Sequence, residues 1–215
     1  MLVGICGKAG AGKDTVGDHI VEEYGFEKIS LADPIKRLVK DVFVLDDHTV
    51  YDREAREVEL PDWEGWSVRK LLQFVGTEMF RESIDPSIWV KSLWLRVKNN
   101  PNKNYVVTDI RFPNELEFFE KHGKTDFLSL KVERDGCDGV VGLSGHESEK
   151  YDLETQGILF NNKEIKDMYD DVDKLMDTIG IQKVKKVFIN EKDEQIPQTM
   201  DSGNFSVSVV DCGGQ

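Results

Sequence analysis

A parallel β-sheet flanked by helices on both faces is the fold the sequence predicts, and three observations predict it. Strand-like runs alternate with helical patterns from Leu2 to Ile179. A glycine-rich turn joins the first run directly to the first helix. The length of 215 residues, 39% hydrophobic and 32% charged, suits one core of the usual ~100–200-residue size and excludes two full-sized domains.

The elements follow in order. Leu2 to Cys6 is a β-favouring run ending at Gly7, and a helical pattern covers Thr15 to Glu23. Phe26 to Leu31 reads as a second strand; Pro34 then suits the first turn of a helix over Ile35 to Val44. Residues 46–66 are charged and irregular, an insertion or mobile segment. Ser67 can cap a helix reaching about Arg81, since Val68, Leu71, Leu72, Val75 and Met79 recur at helical spacing. A helix over Pro86 to Lys98 follows, then a strand over Tyr105 to Thr108. Pro113 opens a helix to His122, and Phe127 to Val132 resumes strand character. Glu133 to Lys150, with four glycines, reads as a long loop. Gly157 to Phe160 is a short strand and Glu164 to Ile179 a final amphipathic helix. From 191 to 215 there are five acids against one Lys. This tail is an appendage, either disordered or a hairpin pairing Val184–Ile189 with Phe205–Val210.

The net charge of −13 argues against broad binding to nucleic acid or an anionic membrane, both of which attract positive surfaces. Any anion must be held by a local positive site. The longest apolar stretch, Met1 to Gly7, is far short of the ~20 residues a membrane helix needs. The N-terminus lacks a secretory signal, and Cys6, Cys137 and Cys212 form neither a disulfide framework nor a zinc pattern. A cytoplasmic protein is expected.

The most specific signal is Gly7-Lys8-Ala9-Gly10-Ala11-Gly12-Lys13-Asp14-Thr15, a GxxxxGK loop between a strand and a helix. Glycines let the backbone N–H groups approach phosphates, the helix N-terminus adds positive potential, and Lys13 reaches the terminal oxygens. ATP is the expected ligand. Asp14 stands where the usual motif has the hydroxyl that contacts Mg²⁺, so it is either a metal ligand or a helix cap. Tyr105-Val106-Val107-Thr108-Asp109 is an apolar strand ending in an acid, which makes Asp109 a candidate for orienting Mg²⁺.

A phosphate acceptor is already ionised at neutral pH, so transfer to it needs positioning and charge neutralisation rather than a base. Arg37, Arg53, Arg56, Arg69, Arg81, Arg111 and Arg134, near loops and helix ends, are suited to provide both. Asp33 is an acceptor contact or a helix cap, and Trp63, Trp66 and Trp89 are base-stacking or core residues.

Beyond the loop, SLADPIK at 30–36, LLQFVGTEMFR at 71–81, DPSIWV at 85–90, TDIRFPNE at 108–115 and HESE at 146–149 occur in sequence. With these blocks the chain resembles the bacteriophage deoxynucleoside monophosphate kinases, a branch of the P-loop nucleoside monophosphate kinases. The resemblance covers about residues 1–180. It implies a P-loop NTPase fold over 1–182, with a helical NMP-binding insertion at about 46–100, a lid at 133–150, and 183–215 outside it. It implies phosphorylation of deoxynucleoside monophosphates with ATP as donor and Mg²⁺ as cofactor. Loop residues 7–15 and Asn161 would hold ATP. Asp33, Arg37, Arg69, Gln73, Thr77, Arg81, Trp89 and His146 would face the acceptor. Lys13, Asp109, Arg111 and the lid's Arg134, joined by Lys131 or Lys150, would serve catalysis, and Asp14 with Asp109 the metal. The competing readings are a kinase for another small acceptor, such as dephospho-coenzyme A, and a regulatory module that binds ATP without turnover. Small nucleotides are the expected partners, with monomer and homodimer both open, in the host cytoplasm if phage-encoded.

Overall fold

The computed structural model describes residues 1–137 and 151–184. Five strands, all parallel, lie in the order β2-β3-β1-β4-β5. They are β1 Leu2–Cys6, β2 Glu27–Ile29, β3 Tyr105–Val107, β4 Phe127–Glu133 and β5 Gly157–Phe160. The central strand β1 sets Leu2 opposite both Tyr105 and Phe127. All five of its residues are buried, as a strand covered on both faces requires. Alternation sends Val3 and Ile5 into a core with Val16, Ile20 and Val172, and Leu2 and Cys6 into a second with Trp89, Leu93 and Phe119.

The helices are α1 Lys13–Tyr24, α2 Asp33–Val42, α3 Asp47–Tyr51, α4 Val68–Gln73, α5 Ile88–Lys98, α6 Pro113–Gly123 and α7 Ile165–Thr178. Helix α1 stops at Gly25, whose positive φ of 69° and N–H bond to the Val21 carbonyl form a C-terminal cap. No described helix is long and apolar enough to cross a membrane.

Two stretches differ from expectation. The segment read as irregular contains α3, because Asp46 caps it by accepting from Thr49 N–H at 2.7 Å and Val50 is fully buried. It also holds a 3₁₀ turn, Ala55–Glu57. Ser67 caps α4, but the helix does not reach Arg81 in one winding: Phe74–Glu82 continues as a π-helix. The tail beyond 184, and the hairpin considered for it, lie outside the described residues.

A polar clamp ties α1 to α7. Asp173 accepts from the Tyr24 hydroxyl at 2.8 Å and Lys183 at 2.6 Å, and pairs with His19 Nε2 at 2.8 Å. Burial alone would raise the Asp173 pKa; bonds from Lys183, His19 and Tyr24 overcome it and hold the carboxyl at about 2. A depressed folded pKa gives stability that is present above the unfolded value, ~3.9, and lost as pH falls towards 2. Asp173→Asn is expected to lower the melting temperature at neutral pH and to flatten its fall between about pH 4 and pH 2, read by thermal melts across that window.

Candidate active site

The glycine-rich loop leaves β1 and enters α1 with Gly7, Gly10 and Gly12 at φ values of 137°, 80° and 103°. Side chains rarely adopt that region. A Cβ on Gly7 would also collide with the Val132 carbonyl of the neighbouring strand. The loop curls on itself: Ala11 N–H donates to the Lys8 carbonyl at 3.2 Å, and Lys13 Nζ donates to the same oxygen at 2.7 Å. Asn161, after β5, donates from Nδ2 to the Ala11 carbonyl at 2.8 Å, so it braces the loop it was expected to assist.

Two cavities flank this loop. One, of about 620 Å³, is bordered by Gly7, Lys8, Ala9 and Lys13, by Arg111, by Lys131 to Gly136 on β4 and beyond, and by Tyr151 and Asp152. The other, of about 470 Å³, is bordered by Gly10, Gly12, Lys13, Asp14, Thr15, Arg53, Arg134, Asn161 and Lys163. Lys13 and Arg134 border both. On a chain of net charge −13, five cations against three carboxylates edge the first cavity and four against one the second, a local positive excess of the kind phosphates require.

Lys131 reaches Asp152 and Glu133, each at 2.6 Å, and these bonds push its pKa up to about 12. It is a permanent cation on the wall of the first cavity. Beside it, burial pushes the Cys6 thiol up to about 11, against the lowering fields of Lys131 and Lys13.

Asp14 lies at the entrance to α1. Burial would raise its pKa, but a hydrogen bond from the Thr108 hydroxyl at 2.7 Å and the Lys28 ammonium at 3.0 Å hold the carboxyl below the ordinary range. Both contacts fall on Oδ1, while the residue borders the second cavity. No cluster of three or more His, Cys, Asp or Glu residues suited to a metal occurs among the described residues.

Asp109, expected to orient Mg²⁺, is engaged by the turn after β2. Its Oδ1 accepts from Leu31 N–H at 3.0 Å, and its Oδ2 accepts from the Ser30 hydroxyl at 2.6 Å and Ala32 N–H at 3.0 Å. The carboxylate shapes the turn that launches α2, on which Asp33 occupies the first position and Arg37 is exposed.

The arginines differ in how they are held. Arg69 pairs with Glu57, and Arg81 with Glu115. Arg56 is lowered in pKa first by burial and then by the field of Arg69, with a smaller lowering from Arg111, while Glu57 and Asp52 pull the other way. Glu115 is 2% exposed; its second oxygen accepts from the N–H groups of Arg111 at 2.9 Å and Phe112 at 3.1 Å. Burial, the largest influence, pushes its pKa up against the Arg81 charge and these bonds. The Arg81 guanidinium lies over the Phe112 ring at 4.2 Å. Glu115 thus fixes Arg81 and the backbone that carries Arg111, a role not expected from the sequence. The signal available was an acid at the third position of a helix opened by Pro113.

The π-helix bears on the stripe Arg69, Gln73, Thr77 and Arg81. In an α-helix a four-residue spacing drifts by roughly 40° per step. The wider π turn advances less per residue and takes that drift back, keeping Thr77 and Arg81 near the line of Arg69 and Gln73. Trp89 does not join them: it is 7% exposed, packs on Phe80, and donates its indole N–H to the Gly76 carbonyl at 2.9 Å. It is a core residue beneath the π-helix. Trp63 packs on Phe43 and Trp66 on Phe74, both partly exposed. His146 lies outside the described residues.

A family model for deoxynucleotide monophosphate kinase matches residues 1–65 and 47–172. The chain belongs to the deoxynucleotide monophosphate kinase family. This kinase is 31% identical over 195 residues to a protein of Acanthamoeba polyphaga mimivirus named for that activity, covering 80% of this chain and 94% of the other. It is 39% identical over 66 residues to the deoxynucleoside-5'-monophosphate kinase of Escherichia phage T5, covering 31% of this chain and 26% of that enzyme. Among solved structures, the dephospho-CoA kinase of Campylobacter jejuni aligns with a TM-score of 0.42 and 15% identity, covering 83% and 96% of the two chains. A likeness of that degree says nothing about the acceptor.

Proposed function

We infer that this kinase transfers the γ-phosphoryl group of ATP to the phosphate of a deoxynucleoside monophosphate. An acceptor oxygen bonds to the γ-phosphorus while the bond to the β–γ bridging oxygen breaks, and ADP and a deoxynucleoside diphosphate leave. The observation that carries the reading is the pair of cation-edged cavities that meet at Lys13 and Arg134 on the glycine-rich loop, with Arg111 bordering one and Arg53 the other. Two cavities that share Lys13 and Arg134 suit two phosphate-bearing substrates.

On this reading the loop backbone, Lys13 and Arg134 hold the donor. The helical excursion over about 46–100 is the acceptor-binding insertion, with Arg56, Arg69, Gln73, Thr77 and Arg81 turned to the acceptor. Asp14, with triphosphate oxygens and water, would hold Mg²⁺, which supplies charge neutralisation. Asp109 serves by shaping the Ser30–Ala32 turn. Cys6 and Cys137 carry free thiols, in keeping with a reducing cytoplasm.

The test is acceptor-dependent ADP release with ATP and Mg²⁺, against the deoxynucleoside monophosphates, their ribose counterparts and dephospho-coenzyme A. Turnover confined to one or more nucleoside monophosphates, faster with deoxyribose, is expected. ATP binding without acceptor-dependent turnover, or turnover with dephospho-coenzyme A alone, would refute the reading.

A further inference from the structure

The 470 Å³ cavity, taken as the donor's because Gly10, Gly12, Lys13, Asp14, Thr15 and Asn161 border it, holds a cation that comes from the other half of the site. Arg53 follows α3, in the excursion assigned above to the acceptor, yet it borders the 470 Å³ cavity together with Lys13, Asp14, Thr15 and Arg134. Among the described residues none forms a hydrogen bond or ion pair with its side chain, although the chain carries 41 acids against 28 basic residues. Its neighbours on the excursion are engaged: Arg56 Nε donates to the Asp52 carbonyl at 3.1 Å, and Arg69 pairs with Glu57. Arg37, Arg96, Arg111 and Arg134 also lack such partners among the described residues; Arg111 and Arg134 border the cavities from beyond the ends of β3 and β4, and Arg37 and Arg96 border neither.

The segment around Arg53 is held in place. Asp52 Oδ1 accepts from the N–H groups of Glu54 at 2.9 Å and Ala55 at 2.8 Å, which fixes the turn between α3 and the 3₁₀ helix. This one braced turn carries both Arg53, on the border of the donor cavity, and Arg56, whose Nε is held on the Asp52 carbonyl. A planar fork with five donors is suited to bridging phosphate oxygens, and it needs no deprotonation to act. Arg134, beyond β4, borders the same cavity.

We propose that Arg53 is a further catalytic arginine, contributed by the acceptor side, that contacts the terminal phosphates of the donor nucleotide and neutralises charge on the transferring group. This role rests on the kinase reading above. It makes the excursion more than an acceptor clamp: its position, set by Arg56 and the acceptor, also sets how well Arg53 meets the donor. Charge that develops between donor and acceptor is then met from both sides, by Arg134 and by Arg53.

The experiment compares the full chain with Arg53→Ala and Arg53→Lys in two assays. In steady-state turnover with a deoxynucleoside monophosphate, Arg53→Ala is expected to lose about 10²-fold in kcat while the acceptor KM stays within about twofold, because the lost contact belongs to the transferring group. Arg53→Lys should recover part of that loss, and added guanidinium ion should partly rescue Arg53→Ala at this exposed position. In equilibrium binding without acceptor, the preference of the chain for ATP over AMP should fall several-fold in Arg53→Ala with AMP affinity unchanged. A kcat within about twofold of the parent, or an unaltered preference for ATP over AMP, would overturn the proposal. If the parent shows no acceptor-dependent turnover, the kinase reading fails by itself, and the binding preference still decides whether Arg53 touches the terminal phosphates.

Discussion

Replacement of Lys13 by alanine is expected to lower kcat/KM by about 10²–10³-fold, the size found when a preorganised charge is removed from a developing anion. The Lys13 ammonium donates to the Lys8 carbonyl at 2.7 Å and borders both cavities. That carbonyl is neutral, so a phosphate oxygen offers a stronger, charge-assisted bond and draws the lysine away from it. The loop does not depend on Lys13 for its shape, since the positive-φ glycines and the Asn161 brace set the turn. Lys13→Ala should therefore melt within a few degrees of the parent while losing turnover. Lys13→Arg should not restore the rate, because a fork cannot take the place of a compact ammonium in so tight a loop. Melting curves beside initial rates check both statements.

The largest expected stability change belongs to Glu115→Ala. Removing one partner of a buried ion pair typically costs about 3–5 kcal/mol, because the other charge is left without compensation. Here the orphan is the 16%-exposed Arg81, and the N–H groups of Arg111 and Phe112 lose their acceptor as well. A loss of that size amounts to a fall in melting temperature of roughly 10 °C or more for a domain of this length. Glu115→Gln is the sharper probe, since an amide oxygen can still accept from the two backbone groups while the charge that holds Arg81 is gone. That variant should fold, lose less stability, and raise the acceptor KM about tenfold or more with a smaller change in kcat. An acceptor KM equal to that of the parent would make Arg81 and Glu115 a purely structural pair.

What the sequence displayed, and what it hid, follows from how local each signal is. The strand, glycine turn and helix of the phosphate loop lie within Leu2–Tyr24, where periodicity and the glycines at 7, 10 and 12 speak for themselves. The alternation of strands and helices was equally legible, and the observed strand ends fall within a few residues of the expected ones. Helix α3 was hidden because it is five residues long and depends on one capping Asp46. The π winding of Phe74–Glu82 has no periodic signature separable from an α-helix over so short a run. Glu115 stood inside a recognised block, yet its meaning depends on Arg81, 34 positions away. Asp109, two residues beyond β3, had the right place for a metal ligand; only the fold brings the Ser30–Ala32 turn onto both of its oxygens. Trp89 was open between base stacking and core, and packing under Gly76 decided it. Long-range partners and unusual windings are the contents of a site that sequence spacing cannot supply.

The fate of the γ-phosphorus of ATP decides whether this chain phosphorylates a nucleotide. ³¹P NMR of the full chain with ATP, Mg²⁺ and one deoxynucleoside monophosphate follows that atom directly. The expected record is loss of the acceptor monophosphate signal and growth of a deoxynucleoside diphosphate in equal amount with ADP, without free phosphate. Inorganic phosphate growing in step with ADP while the monophosphate signal stays unchanged would mean that water, not a nucleotide, is the acceptor, and would contradict the kinase reading.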